Sequence, residues 1–351
     1  MPFTSSNLRR VRPLFLTSAF AMLSLAASAA SCKTQSQMTV AERDALASAA
    51  RIIVREVQSG DAEALRANTI PAVAADFSGI AGSVANLNPL VREATITVDS
   101  LYALDASTQS AGPGQTDFYC GSPLVVLNFT SLPSGSYALV LLHATGVPGP
   151  QQISLILSET AEHSWMLAGF FSKPMTEAGH DGLWYWVSAR RFAKQNMNWD
   201  AWFYYRTAAN FLNPVEFLSS PNLEKLQHEE EEVHPGNLPG VEPVILSTQG
   251  SIFQVTAIDT TAALGALDLE VHYTPDAAET AQLRDPPAAR KQVIQVMTAL
   301  LALHPELQAA FHGIWAYADQ GSASLFSLEL PMDQIVPVTE PSATSSSSAN
   351  R

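Results

Sequence analysis

The chain is poor in cysteine, in positive charge and in charge altogether. Only Cys32 and Cys120 occur in 351 residues. Cys-x-x-Cys pairs are therefore absent, as are glycine-rich phosphate loops and nucleophile elbows. Catalytic residues are left unassigned, and neither a cofactor nor a metal is expected. The lack of a linear motif does not exclude an enzyme, because active sites are assembled in space. Lys and Arg number 19 against 33 Asp and Glu, a net charge of −14. A surface of that sign repels phosphate backbones and anionic headgroups, so nucleic acid is not an expected partner. Charged residues make up 15% of the chain and apolar ones 47%, enough for a sizeable core. After the first 31 residues, no apolar run is a better candidate than the leader for the roughly 20 residues of a spanning helix.

The N-terminus carries the most specific signal. Arg9, Arg10 and Arg12 form a basic region. An apolar stretch runs from Leu14 to about Leu25, and small residues from Ala26 to Ser31 lead to Cys32. Basic, apolar and small-residue regions in that order read as a signal peptide over 1–31. The leader holds three arginines and no acid, so its removal takes the net charge from −14 to −17.

Ala29-Ala30-Ser31-Cys32 resembles the lipobox of bacterial lipoproteins. In that family the cysteine is acylated and becomes the first residue after cleavage. The resemblance implies a lipid on Cys32 that holds the protein to a membrane. Lys33 follows, where an aspartate would mark inner-membrane retention, so delivery to the periplasmic face of the outer membrane is implied. The box begins with Ala29 where the family usually has leucine. Ala27-Ser28-Ala29 is itself a small-x-small cleavage site, and a soluble periplasmic or secreted protein is the alternative. If Cys32 carries lipid, Cys120 stands alone and reads as a small buried apolar group.

The expected class is α+β. After a tether over 32–38, a first domain spans 39–178. Thr39 and Glu42 make a capping box for a helix over Val40–Val57, with Leu46, Ala49, Ile53 and Val57 on one face. Asp61 starts a second short helix, and Pro71–Ala81 offers a third. The period then changes to two. Ala94–Leu104, Leu124–Thr130, Ser136–Thr145, Gln152–Glu159 and Ser164–Phe171 read as strands of an antiparallel meander with short turns. Both faces of Ser136–Thr145 are apolar, so something must cover each side of that sheet.

Helices followed by such a sheet, the start Gly60-Asp61-Ala62-Glu63-Ala64-Leu65 and the strand with Trp165, Gly169 and Phe170 resemble the nuclear transport factor 2-like cone fold over about Val40–Pro174. That superfamily ranges from enzymes to non-catalytic binding modules, so it implies no activity. Residues 179–225 read as a helical hairpin, packed on the first domain and covering its open sheet face. Its Tyr185, Ala189, Phe192, Ala201, Tyr205, Ala208 and Pro214 resemble a single tetratricopeptide repeat. An acidic, proline-rich linker is expected over 226–243, then a second domain over 244–335 in the order β-β-α-β-β, and a disordered tail over 336–351.

Candidate chemistry is thin. His228 and His234 flank four glutamates, but six residues apart they cannot share a helix face as zinc-protease histidines do. Asp181, after His180, suits a helix cap. Asp76 and His143 could serve an enzyme only if one pocket held both. Phe77, Tyr137, Trp165 and Phe171 are candidates to line a pocket for a small apolar ligand. The leading expectation is an exported, lipid-anchored, non-catalytic envelope protein that contacts other proteins. An apolar-ligand binder is the alternative.

Overall fold

The structure, a computed structural model, describes residues 30–108, 114–121, 124–248 and 251–336. Nearly all of the leader and the tail beyond Val336 lie outside them. The fold is α+β, with strand pairs antiparallel except one parallel pair in the last sheet.

Helix α1 (Val40–Ser59) begins as its capping box predicts. Thr39 Oγ1 accepts from the Glu42 N–H, and the Glu42 carboxylate accepts from the Thr39 N–H at 2.7 Å. The exchange, with Lys33 nearby, holds the Glu42 carboxyl at about 2. Gly60 ends the helix at φ 71°, a left-handed conformation that only glycine adopts cheaply. Helix α2 (Ala62–Ala67) follows Asp61, and α3 (Pro71–Ala74) is a single turn. The single helix expected over Pro71–Ala81 is split between α3 and the first turn of α4 (Ser78–Val91), which runs ten residues further and carries Pro89 inside it. Its buried Val84, Leu87 and Val91, at helical spacing, hold it against the sheet. Tertiary packing outweighs the local penalty here.

The first seven strands are β1 (Ser31–Thr34), β2 (Thr95–Asp105), β3 (Gln115–Cys120), β4 (Val125–Thr130), β5 (Ser136–Thr145), β6 (Gln151–Glu159) and β7 (Trp165–Pro174). Five of them form an antiparallel sheet in the order β1-β2-β5-β6-β7. Residues 31–34, expected as leader end and tether, are thus an edge strand, with Ser31 opposite Asp105 and Thr34 opposite Tyr102. Alternation along β5 sends Ala138, Val140, Leu142 and Ala144 to the helices. Tyr137, Leu139 and Leu141 go to the other face, which a second small sheet covers. That sheet consists of β3, β4 and a later two-residue strand at Leu218–Ser219.

Cys32 on β1 and Cys120 at the end of β3 form a disulfide across the edges of the two sheets. This corrects the picture of Cys120 as a lone thiol. The Cys32 sulfur is engaged, so the lipid expected there has no sulfur to occupy in this form. Stacking of two sheets, invisible in linear spacing, brings the pair together. A crosslink spanning 88 residues of sequence removes about 4–5 kcal/mol of unfolded-chain entropy in the loop-closure account.

A two-residue ribbon, β8 (Thr176–Glu177) with β9 (His180–Asp181), leads to α5 (Gly182–Lys194) and α6 (Asn198–Leu212). A Cβ on Gly182 would lie 2.8 Å from Leu212 Cγ and 2.9 Å from Phe211 Cβ, so glycine permits the closure of this hairpin. After β10 (Leu218–Ser219) comes α7 (Pro221–Glu232), capped by Ser220 and anchored by buried Leu226. The sequence 226–243 was expected as a solvated linker. Instead Glu229 accepts from Arg190 at 2.7 and 2.8 Å and from Trp186 Nε1 at 2.7 Å, which draws the charged run onto the hairpin.

The last unit comprises β11 (Val244–Thr248), β12 (Ser251–Thr261), β13 (Asp268–Thr274), α8 (Ala277–Gln282), α9 (Pro286–Leu303), α10 (Leu307–Ala310), β14 (Gly313–Gln320) and β15 (Ala323–Pro331). The five strands lie in sequential order, with β13 and β14 parallel across the helical crossover. The expected β-β-α-β-β order holds, with β11 added at the edge. The hairpin was expected to pack on the first domain; its aromatic core packs on this unit instead, and only the end of α6 touches β7. Tyr204 Oη donates to Ala310 O at 2.6 Å, Phe203 meets Phe311 edge-on at 5.9 Å, and Trp199 lies 3.9 Å from the His304 ring. The hairpin, α7 and the second sheet share one core. The aromatics of α5 and α6 need a large apolar partner, and β3 and β4 already cover the first sheet.

Candidate functional site

The four pocket candidates do not converge. Phe77 is buried between helices and sheet, and Trp165 packs at the margin of the same core. Tyr137 lies on the opposite sheet face. Phe171 is exposed beside Phe217, with ring centres 5.6 Å apart. Tyr137 and Trp165 do share a cleft of about 470 Å³ along the edge formed by β1 and α1, with Lys33, Glu42 and Glu159 on its rim. Phe171 lines a different cleft, of about 430 Å³, where β7 meets the end of α6. There the Lys173 ammonium donates to Asn210 O and Asn213 O at the α6 C-terminus, which favours a cation. Burial pushes Lys173 down to about 8.

The other candidates also separate. Asp76 sits on the helical side, bonded to Ser78. His143 shares the strand parity of Tyr137 and Leu141 and faces the other way, 4.0 Å from Asp99. Asp181 caps α5 by accepting from the Trp184 N–H at 2.8 Å, and His180 stacks on Trp184 at 3.6 Å. His228 pairs with Glu232 on the α7 surface, whereas His234 lies beside Trp202.

Side chains that the sequence did not single out cluster on the outer face of the second sheet. Asp268, Glu270 and His272 alternate with apolar residues along β13, a pattern that reads as a wet strand face, although Asp268 is buried and the other two are half-buried. Register sets Glu270 beside Trp315 and His272 beside Tyr317. The His272, Tyr317 and Trp315 rings stack in series, at 4.7 and 5.9 Å. His272 Nδ1 lies 2.6 Å from Asp319 Oδ2, and Nε2 lies 3.2 Å from Glu270 Oε1. Burial, then the charges of Glu270 and Asp319, raises the Tyr317 phenol.

At the end of the same face the β13 and β14 N-termini lie side by side, and β15 returns to them. Asp268 is fully buried there. Its Oδ1 lies 3.0 Å from His312 Nδ1, and its Oδ2 has no partner. Glu329 Oε1 is also buried without a partner. Burial raises the Glu329 carboxyl, the charge of Asp268 adds to this, and His312 opposes it. Gly313 lies between the two acids. A Cβ there would lie 2.6 Å from Leu330 O, 2.8 Å from Glu329 Oε1 and 3.1 Å from Asp268 Oδ1. One donor atom each from Asp268, His312 and Glu329 fall within 4.8 Å of one another. Imidazole with carboxylates is a donor set that suits first-row divalent metals.

Comparison with family models, with curated proteins and with solved structures returns no match.

Proposed function

We propose that this chain is an exported, non-catalytic protein of the bacterial cell envelope that works by contacting other proteins. The observation that carries export is the Cys32–Cys120 disulfide, one residue beyond the expected leader. Such bonds persist in oxidising compartments and are rare where thiols are kept reduced. Because the disulfide uses the Cys32 sulfur, the soluble periplasmic or secreted form is preferred. The lipoprotein form, suggested by Ala29-Ala30-Ser31-Cys32, requires Cys120 to be a free thiol.

Side chains of the chain itself pack on both faces of the first sheet, which favours contact over storage of an apolar ligand. Leu183, Trp184 and Val187 stand exposed along one side of α5 and supply an apolar contact stripe. The helix-then-sheet order that resembles the cone fold suits this role, because that superfamily includes non-catalytic modules.

The test places a photo-crosslinking residue at position 187 of the chain in its own host, with position 63 on α2 as control. The account expects one discrete protein adduct from position 187 in the periplasmic or secreted fraction, and none from position 63. Retention of the chain in the cytoplasm, or equal adducts from both positions, would contradict it.

A further inference from the structure

We propose that Asp268, His312 and Glu329 bind one first-row divalent metal ion, such as Zn²⁺ or Mn²⁺, above Gly313. The parallel crossover from β13 to β14 places Asp268 and His312 at neighbouring strand starts, and the antiparallel return of β15 adds Glu329. The His312 backbone is fixed on both sides. Its N–H donates to Leu267 O at 2.8 Å, and its carbonyl accepts from the Met332 N–H at 2.8 Å. The imidazole therefore meets the Asp268 carboxylate from a set direction, already at 3.0 Å.

Two observations, independent of the residue types, point to a ligand. The first is the unmet bonding of Asp268 Oδ2 and Glu329 Oε1, both buried. A buried carboxylate oxygen without a partner carries a desolvation cost that a cation would offset. The second is Gly313. Any side chain there would strike Glu329 Oε1 and crowd Asp268 Oδ1, so the two acids converge over a gap that glycine leaves.

The chemistry selects the ion class. Ca²⁺ takes six to eight oxygen ligands, and Mg²⁺ keeps most of its waters, whereas an imidazole beside two carboxylates suits Zn²⁺ or Mn²⁺. The half-exposed His312 side chain lies on the solvent side and gives the ion access. Three protein donors leave coordination positions for water or for a group brought by a partner. The imidazole must be neutral to ligate, so binding weakens as pH falls.

The test uses the full mature chain, stripped with a chelator and titrated calorimetrically with Zn²⁺ and separately with Mn²⁺. The expected result is one equivalent bound at micromolar or lower Kd for at least one of the two ions, with a rise in Tm on loading. His312→Ala keeps the buried carboxyl pair and alters a half-exposed side chain, so its fold should survive, as circular dichroism would check. It should weaken binding by more than the roughly 10–100-fold that loss of a supporting partner costs. His272→Ala, in the neighbouring cluster, should bind as the parent does. No stoichiometric binding of either ion at about 100 μM, a range far weaker than specific sites show, would overturn the proposal. Binding unaffected by His312→Ala, or lost equally in His272→Ala, would overturn it too.

Discussion

Asp200 shows what one side chain can contribute. It lies fully buried in the first turn of α6, and neither carboxylate oxygen has a partner. Burial, with the nearby charge of Glu306, pushes it up to about 7. Its folded-state pKa is above its unfolded one, so the native state holds the proton longer as pH rises. Stability is therefore expected to fall between about pH 4 and pH 7 and to level off above, by at most about 4 kcal/mol from this residue. Asp200→Asn, which mimics the protonated acid, should flatten that dependence and stabilise the protein at pH 8. Thermal melts of both proteins from pH 4 to 8 measure it, and parallel curves would contradict the account. Gly313→Ala should cost about 2–3 kcal/mol because its Cβ would meet backbone at Leu330 O. Residues of this kind were illegible in the sequence. Asp200 follows Trp199 like any acid in a first helical turn, and only its tertiary surroundings bury it.

Among the elements, those stabilised by local signals matched expectation. The capping box of α1, the Asp181 cap of α5 and the alternation along β5 each follow from neighbours in sequence. Elements held by distant partners did not. Helix α4 carries Pro89 yet persists through its buried face, and α7 reads as a charged linker until Arg190 and Trp186 receive Glu229. Both partners lie about 40 residues away in sequence, beyond any local window. Leu226→Ala is expected to cost about 2–5 kcal/mol, as a buried leucine of a packed helix does. Chemical denaturation measures this, and a change below about 0.5 kcal/mol, the level of a surface substitution, would restore the linker reading.

At the scale of the whole molecule, two packed units meet through β7, the end of α6 and β10. Lys173 caps α6, Gln152 Nε2 donates to Pro214 O at 3.3 Å, and β10 pairs with β4. Which sheet the hairpin covers could not be read from its aromatics, because both sheets present apolar faces. The cluster of Asp268, His312 and Glu329 was equally hidden, since its donors come from β13, β15 and the residue before β14 and meet only through register. The disulfide joins the first stacked pair of sheets, and its reduction should lower stability by about 2–5 kcal/mol. Under the proposed export, the state of Cys32 distinguishes the two forms suggested for the N-terminus. The most direct measurement is the intact mass of the protein isolated from its host without reductant, with free thiols alkylated. The account predicts a chain of residues 30–351, two hydrogens lighter than its reduced form and taking up no alkylating agent. A chain starting at Cys32, heavier by acyl groups and alkylated once at Cys120, would contradict it.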